Sequence, residues 1–363
     1  MNLIQIYLRK NSKSGMRAFK ILLITILALI NLSVNAKAPL FTASNPPIRP
    51  HRIIRTCCSF GADMQLFAIP GVKLTEITSL EKIGSHRYLG DPSEENGIIY
   101  TRRGGFVDMG HLRDQVDWMA YLYMQMSESK LYGILNLSLG HEGGEKSLKV
   151  RIPSYLTNTD LVILAGKIAY DLSVWHEIAT WFGASTIPFV PERYSSFSIE
   201  DPYSNLLGIT IGIQALQSEL PYEEAVTVII AATLKNLDAV SNETETLLAM
   251  EAVRNIWWTS EKRLPSSKVL LQRQLQVYPC LQPWLVPGWE SLNQESPELT
   301  VPYYTSSGET LNNLYQLEFK LNYKFPFHRI FPDRKDRTIN QNDFNRLLAE
   351  VANNLNEKES QFR

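Results

Sequence analysis

Residues 161–182 carry one long apolar helix pattern, and no other stretch restricts the fold as strongly. Leu161, Leu164, Ala165, Ile168, Leu172, Trp175, Ala179 and Phe182 recur at the three- and four-residue spacing of a core-facing stripe. A narrower row of small and polar residues runs beside it: Gly166, Ala169, Ser173, His176, Thr180 and Gly183. Small side chains there let a second backbone, or a ligand, come close. A helix this apolar must be covered by other elements. Yet it carries His176 and Glu177 side by side, and buried polar or charged groups cost free energy unless they are paired. Such a pair marks a site that is either used or well satisfied. Glu177 stands about 100° round the helix from His176, so the pair divides naturally into one ligand, His176, and one general base, Glu177.

The rest of the chain is ample to cover such a helix. Its 363 residues are 44% hydrophobic and 20% charged, which describes globular stock with a large core. The 36 Lys and Arg balance 37 Asp and Glu, so there is no bulk electrostatic case for a nucleic-acid partner or an anionic membrane. Neither a Walker A loop nor a dinucleotide glycine fingerprint occurs, and no nucleotide cofactor is expected. From Met16 the chain reads as a basic segment, an apolar run over 21–32 and a small-residue cleavage site near Ala36 or Ala38. This predicts a signal peptide over residues 1–38 with Met16 as the true start. It also predicts a periplasmic or secreted mature chain with no transmembrane segment. The competing reading is an N-terminal membrane anchor. In an oxidising compartment Cys57 or Cys58 is expected to bridge to Cys280.

The patterning predicts an α+β fold: a helix-rich single domain over 39–363 with a β-hairpin and a small antiparallel sheet, its motif-rich half at 54–208. Residues 97–101 read as a strand that ends in the basic turn Arg102-Arg103-Gly104-Gly105. A short apolar stretch at 106–109 follows, and Gly110-His111 opens a helix to about residue 126. Alternation over 131–139 and 147–152 predicts the hairpin, with His141 and Glu142 at an exposed tip. Thr159 or Asn158 caps the 161–182 helix, which Gly183 ends. Further helices are expected from near Glu200, with Ser198 as its cap, and over 221–240, 243–258, 266–276 and 342–357. Residues 315–327 alternate like a strand.

Three constellations besides the His176 helix carry chemistry. His111 and Asp114 are three apart at a helix start, hence on one face. An imidazole and a carboxylate at that spacing suit a metal or proton transfer; the plainer reading is a helix-start acid favoured by the dipole. Asp108 and Asp117 are further acids close by. Glu200 and Asp201 sit in a first helical turn where the dipole alone accounts for acids, but Ser204, Asn205 and Gly208 continue a polar, small face that suggests a site wall. Arg102 and Arg103, beside glycine amides, suit a phosphate or carboxylate. The zincin pattern His-Glu-x-x-His fails because Thr180 occupies its last position, so a metal must gather ligands from elsewhere. A Gly-x-Ser-x-Gly elbow is absent, which weakens a serine-hydrolase reading.

In residues 55–61, 97–114, 175–183 and 195–208 the chain resembles the bacterial domain-of-unknown-function 4056 family. The resemblance covers most of 54–208 and implies a secreted or envelope protein, without an activity to carry over. The leading expectation from the residues is a metal-dependent hydrolase acting on an envelope component. Zinc or another divalent metal would be held from among His111, Asp114, His176, Glu200 and Asp201, with Glu177 as base and Arg102, Arg103, Ser204 and Asn205 toward the substrate. The alternatives are a Cys58/His hydrolase and a non-enzymatic envelope binding or scaffold protein with a structural His/Glu/Asp network.

Overall fold

The computed structural model describes residues 48–51, 54–55, 60–61, 76–185, 192–261, 269–291 and 294–360. The leader-like N-terminus, Cys57 and Cys58 lie outside the described residues. A short hairpin opens the motif-rich half, β1 (Ile98–Thr101) and β2 (Gly105–Asp108), antiparallel with Ile98 opposite Asp108. Asp108 ends the strand and caps the next helix, α1 (Met109–Ser129), its Oδ1 accepting from the Gly110 and His111 N–H groups at 2.7 and 3.0 Å. The expected hairpin follows as β3 (Ile134–His141) and β4 (Gly144–Arg151).

The central apolar helix is α2 (Asn158–Trp181). Its cap is Thr157 and not the expected Thr159 or Asn158, because a reciprocal box with Asp160 satisfies both backbone N–H groups there. Then come α3 (Asp201–Leu216), α4 (Tyr222–Asn236) and α5 (Glu243–Ala252). Helix α5 stops short of the expected residue 258: Asn255 takes a positive φ of 59° and Trp258 bridges to Leu270. That bridge also accounts for the absence of a helix over 269–276, whose apolar residues serve an extended segment; residues 262–268 lie outside the described residues. Later elements are β5 (Cys280–Leu281), β6 (Leu299–Thr300), β7 (Tyr315–Leu321), α6 (Phe327–Ile330), β8 (Thr338–Asn340) and α7 (Phe344–Ser360). The fold is α+β, with β3-β4-β7-β8 forming one four-stranded antiparallel sheet.

Helices α1, α2 and α3 pack on one another, and their crossing is close. A Cβ on Gly208 of α3 would fall 2.2 Å from the Leu112 carbonyl oxygen of α1, so glycine is required where the two backbones meet. This contact brings the start of α3 against the start of α1. On the other side of α2, Trp175 stacks on Phe319 of β7 with ring centroids 4.1 Å apart, fixing the sheet against the helix. Leu148, Val150, Leu317 and Phe319 form the sheet's buried face. The described residues all fall within one compact unit, 36–363. Among them, no helix is long and apolar enough to cross a membrane.

Candidate metal centre

Where β2 ends, α1 begins and α3 begins, three side chains converge. One ligand atom each from Asp108, His111 and Asp201 lies within 4.8 Å of the others. His111 is half-buried, while Asp108 and Asp201 are buried. His111 Nδ1 lies 3.4 Å from Asn205 Oδ1, and its Nε2 lies 3.5 Å from Asp201 Oδ1. With Nδ1 facing an amide oxygen and Nε2 facing a carboxylate, the ring is placed as the outer-shell support of a metal-bound imidazole would place it.

The carboxylates are crowded and short of donors. Asp108 Oδ2, Asp201 Oδ1 and Glu200 Oε1 are buried with no hydrogen-bond partner among the described residues. Burial pushes the Asp201 carboxyl well above its ordinary range, and the nearby charges of Glu200, Glu177 and Asp108 push it further. Burial likewise raises Glu200, to about 8, with Asp108 and Glu177 adding to the rise and the Ser198 hydroxyl opposing it. A bound cation would offset the crowding that raises Asp201 and Glu200. Buried polar oxygens are nearly always satisfied in folded proteins. Two carboxylates and an imidazole form a donor set suited to zinc, manganese or iron, so the residues present fit a divalent ion.

A polar cavity of about 40 Å³ adjoins His111 and is walled by His176, Glu142, Lys146, Asp114 and Asn205 among others. It has room for water, which needs at least ~10–15 Å³ of such space. His176 reaches it from α2, its ring 6.3 Å from that of His111. Glu142 holds His176 by accepting at Oε1 from Nδ1 at 2.7 Å, and accepts at Oε2 from Lys146 Nζ at 2.6 Å. Its backbone oxygen accepts from Trp175 Nε1 at 3.0 Å. The expectation of an exposed Glu142 is therefore corrected: the hairpin tip folds inward onto α2 and buries it. A signal for this lies in β4, where alternation puts Lys146 on the same inward face as Leu148 and Val150. A lysine on a core-facing position requires a buried anion, and Glu142 is four residues away.

The other residues singled out from sequence are placed as follows. Asp114 lines the cavity, but its carboxylate accepts from Arg55 Nη1 at 3.0 Å and the Ile54 N–H at 3.1 Å. Burial raises Asp114 to about 6 against the pull of Arg55. Glu177 Oε2 accepts from the Phe197 N–H at 2.5 Å, tying α2 to the loop before α3. Glu200 Oε2 accepts from Ser198 Oγ at 2.6 Å, and no side chain caps α3, so Ser198 serves Glu200 and not the helix end. Ser204 Oγ links the end of β2 to the start of α3, accepting from the Asp108 N–H at 2.9 Å and donating to the Glu200 carbonyl at 2.7 Å. Arg102 pairs with Glu245 at 2.8 Å, and Arg103 donates to the Glu295 carbonyl and to Asn236. Both arginines clamp the β1–β2 turn to neighbouring segments and are absent from the cavity wall.

Behind the cavity lies a second buried polar network. Arg55 joins Glu94, Asp114 and Asp117, while Asp117 also accepts from His86 Nε2 and Tyr222 OH. Arg113 donates to the carbonyls of Glu94 and Gly84. Its carboxylates are fully engaged, unlike those around His111.

Comparison with curated proteins and with solved structures returns no match. Residues 45–287 match the family model described as a protein of unknown function, DUF4056. That match spans well over half of the chain, which therefore belongs to the DUF4056 family.

Proposed function

We propose that this protein is a periplasmic or secreted metal-dependent hydrolase acting on an envelope component, with zinc or another divalent metal held by Asp108, His111 and Asp201. The observation that carries the reading is the set of three buried carboxylate oxygens without a hydrogen-bond partner among the described residues, at the starts of α1 and α3 beside an imidazole. A divalent ion in such a place supplies acidified water and polarises an acyl or phosphoryl oxygen. Asn205 orients His111, and Ser204 fixes Asp108 against the start of α3. His176, held by the Glu142 carboxylate, is the group suited to move a proton in the cavity. Lys146 Nζ pairs with the other Glu142 oxygen at 2.6 Å. Glu177, engaged by the Phe197 N–H, contributes negative charge toward Asp201 in place of the base role its sequence position suggested. The leader-like N-terminus supports the location.

Metal analysis of the chain, purified without chelator or affinity tag, tests the reading. Near-equimolar metal should be found and should vanish in both His111→Ala and Asp201→Ala. His176→Ala should retain the metal and lose hydrolysis of isolated envelope polymer. If neither the native chain nor chain incubated with zinc or manganese retains metal, the reading fails. The alternative then takes its place: a non-enzymatic envelope binding or scaffold protein whose His/Glu/Asp network is structural.

A further inference from the structure

A second concavity, of about 490 Å³, lies between the turn after α5 and the loops flanking β5. This is within the ~300–1,000 Å³ range of small-ligand sites. Its chemistry differs from that of the His111 cavity. Two indoles, Trp257 and Trp284, meet there edge to face with centroids 5.7 Å apart. Three amides surround them: Gln274, Gln276 and Gln282. Among the described residues its wall contains one carboxylate, Glu298, and no lysine or arginine.

The wall selects among ligand classes. An anionic ligand would meet Glu298, with no cation among the described wall residues to offset it. A purely apolar ligand would cover the Gln276 and Gln282 amides without matching their remaining donors and acceptors. A neutral ligand with apolar faces and a rim of hydroxyls satisfies both. The half-buried indole of Trp284 offers a flat surface to ring C–H groups. Amides, which both donate and accept, match vicinal hydroxyls. The surface is also preset. Trp284 Nε1 donates to Gln274 Oε1 at 2.9 Å, and Gln274 Nε2 donates to the Gln276 carbonyl at 2.9 Å. Gln282 Nε2 donates to Glu298 Oε2 at 2.9 Å, which holds the exposed Gln282 amide at the rim. Fixing these groups beforehand lowers the ordering cost of binding.

We infer that this groove binds a neutral oligosaccharide, stacking a sugar ring on Trp284 and hydrogen-bonding its hydroxyls to Gln276 and Gln282. The groove shares no lining residue with the His111 cavity. Calorimetric titration of the full chain with the β-1,4-linked tetramers of N-acetylglucosamine and of glucose, and with the α-1,4-linked tetramer of glucose, tests it. Saturable binding of at least one tetramer is expected. Trp284→Ala should weaken it about tenfold or more, as loss of a central aromatic contact does. Gln282→Ala, a change at an exposed position, should weaken it with the melting temperature unchanged. No heat of binding with any tetramer at about 10 mM, well past the millimolar range, overturns the inference. So does binding that both variants leave intact, or preferential uptake of a proline-rich peptide, the other ligand class that aromatic grooves accept.

Discussion

Glu94→Gln is the sharpest test of how the wall behind the cavity is held together. Glu94 is fully buried. Its oxygens accept from Arg55 Nε at 2.6 Å, Arg55 Nη2 at 2.7 Å, the Arg87 N–H at 2.8 Å and Asn96 Nδ2 at 3.0 Å. Burial alone would raise its pKa, but the Arg55 hydrogen bonds and the Arg55 and Arg113 charges outweigh burial and lower it from 4.5 to about 2. That fall corresponds to about 3 kcal/mol, the same size as the ~3–5 kcal/mol lost when one member of a buried ion pair is removed. Since the folded value lies below the unfolded one, the stabilisation is complete above about pH 4.5. It is lost as pH falls toward 2. Urea unfolding followed by circular dichroism, run at intervals from pH 7 to pH 2 on both proteins, measures the difference. Glu94→Gln should be less stable by about 3 kcal/mol at pH 7, and the gap should close between pH 4.5 and pH 2. A gap below about 1 kcal/mol at pH 7, the worth of an exposed pair, refutes the argument. A gap that does not depend on pH refutes it equally.

Three further outcomes follow from the same geometry. Gly143 has φ +66°, and an added Cβ would sit 2.9 Å from the Phe325 ring and 3.1 Å from Ala179; Gly143→Ala should cost about 2–4 kcal/mol in urea unfolding from combined strain and overpacking. Glu142→Gln leaves Lys146 buried without its anion and should cost about 3–5 kcal/mol, whereas Glu142→Gln with Lys146→Met should recover most of that loss. A double variant no more stable than the single one would show that Lys146 is not paired as described. Thr157→Ala removes the reciprocal cap of α2 and should lower stability by about 1 kcal/mol, seen as a lower melting temperature.

Local pattern carried much of the architecture. The three- and four-residue spacing of Leu161 to Phe182 specifies α2 because a helix repeats its faces on that interval. Alternation specifies β3, β4 and β7 for the corresponding reason in a strand. His111 drew attention through its spacing from Asp114, and the start of α3 through the polar, small face of Ser204, Asn205 and Gly208 where apolar side chains would pack. What sequence spacing does not encode is which faces meet. Asp108 joins His111 and Asp201 because α3 crosses α1 at Gly208, a contact between residues nearly a hundred apart. Glu142 looked like a solvent-facing tip because glycines flank it, yet packing of the hairpin on α2 turns it onto His176 and Lys146. Arg102 and Arg103 sit near His111 in the chain but are drawn to Glu245, Asn236 and the Glu295 carbonyl by the way β1 and β2 turn back. Backbone periodicity acts over a few residues, so the sequence alone determined most of the elements and the polarity of their faces, though not the end of α5 or the extended run over 269–276. Only the burial of those faces against one another, a free energy summed over the whole core, decided which carboxylates share a site.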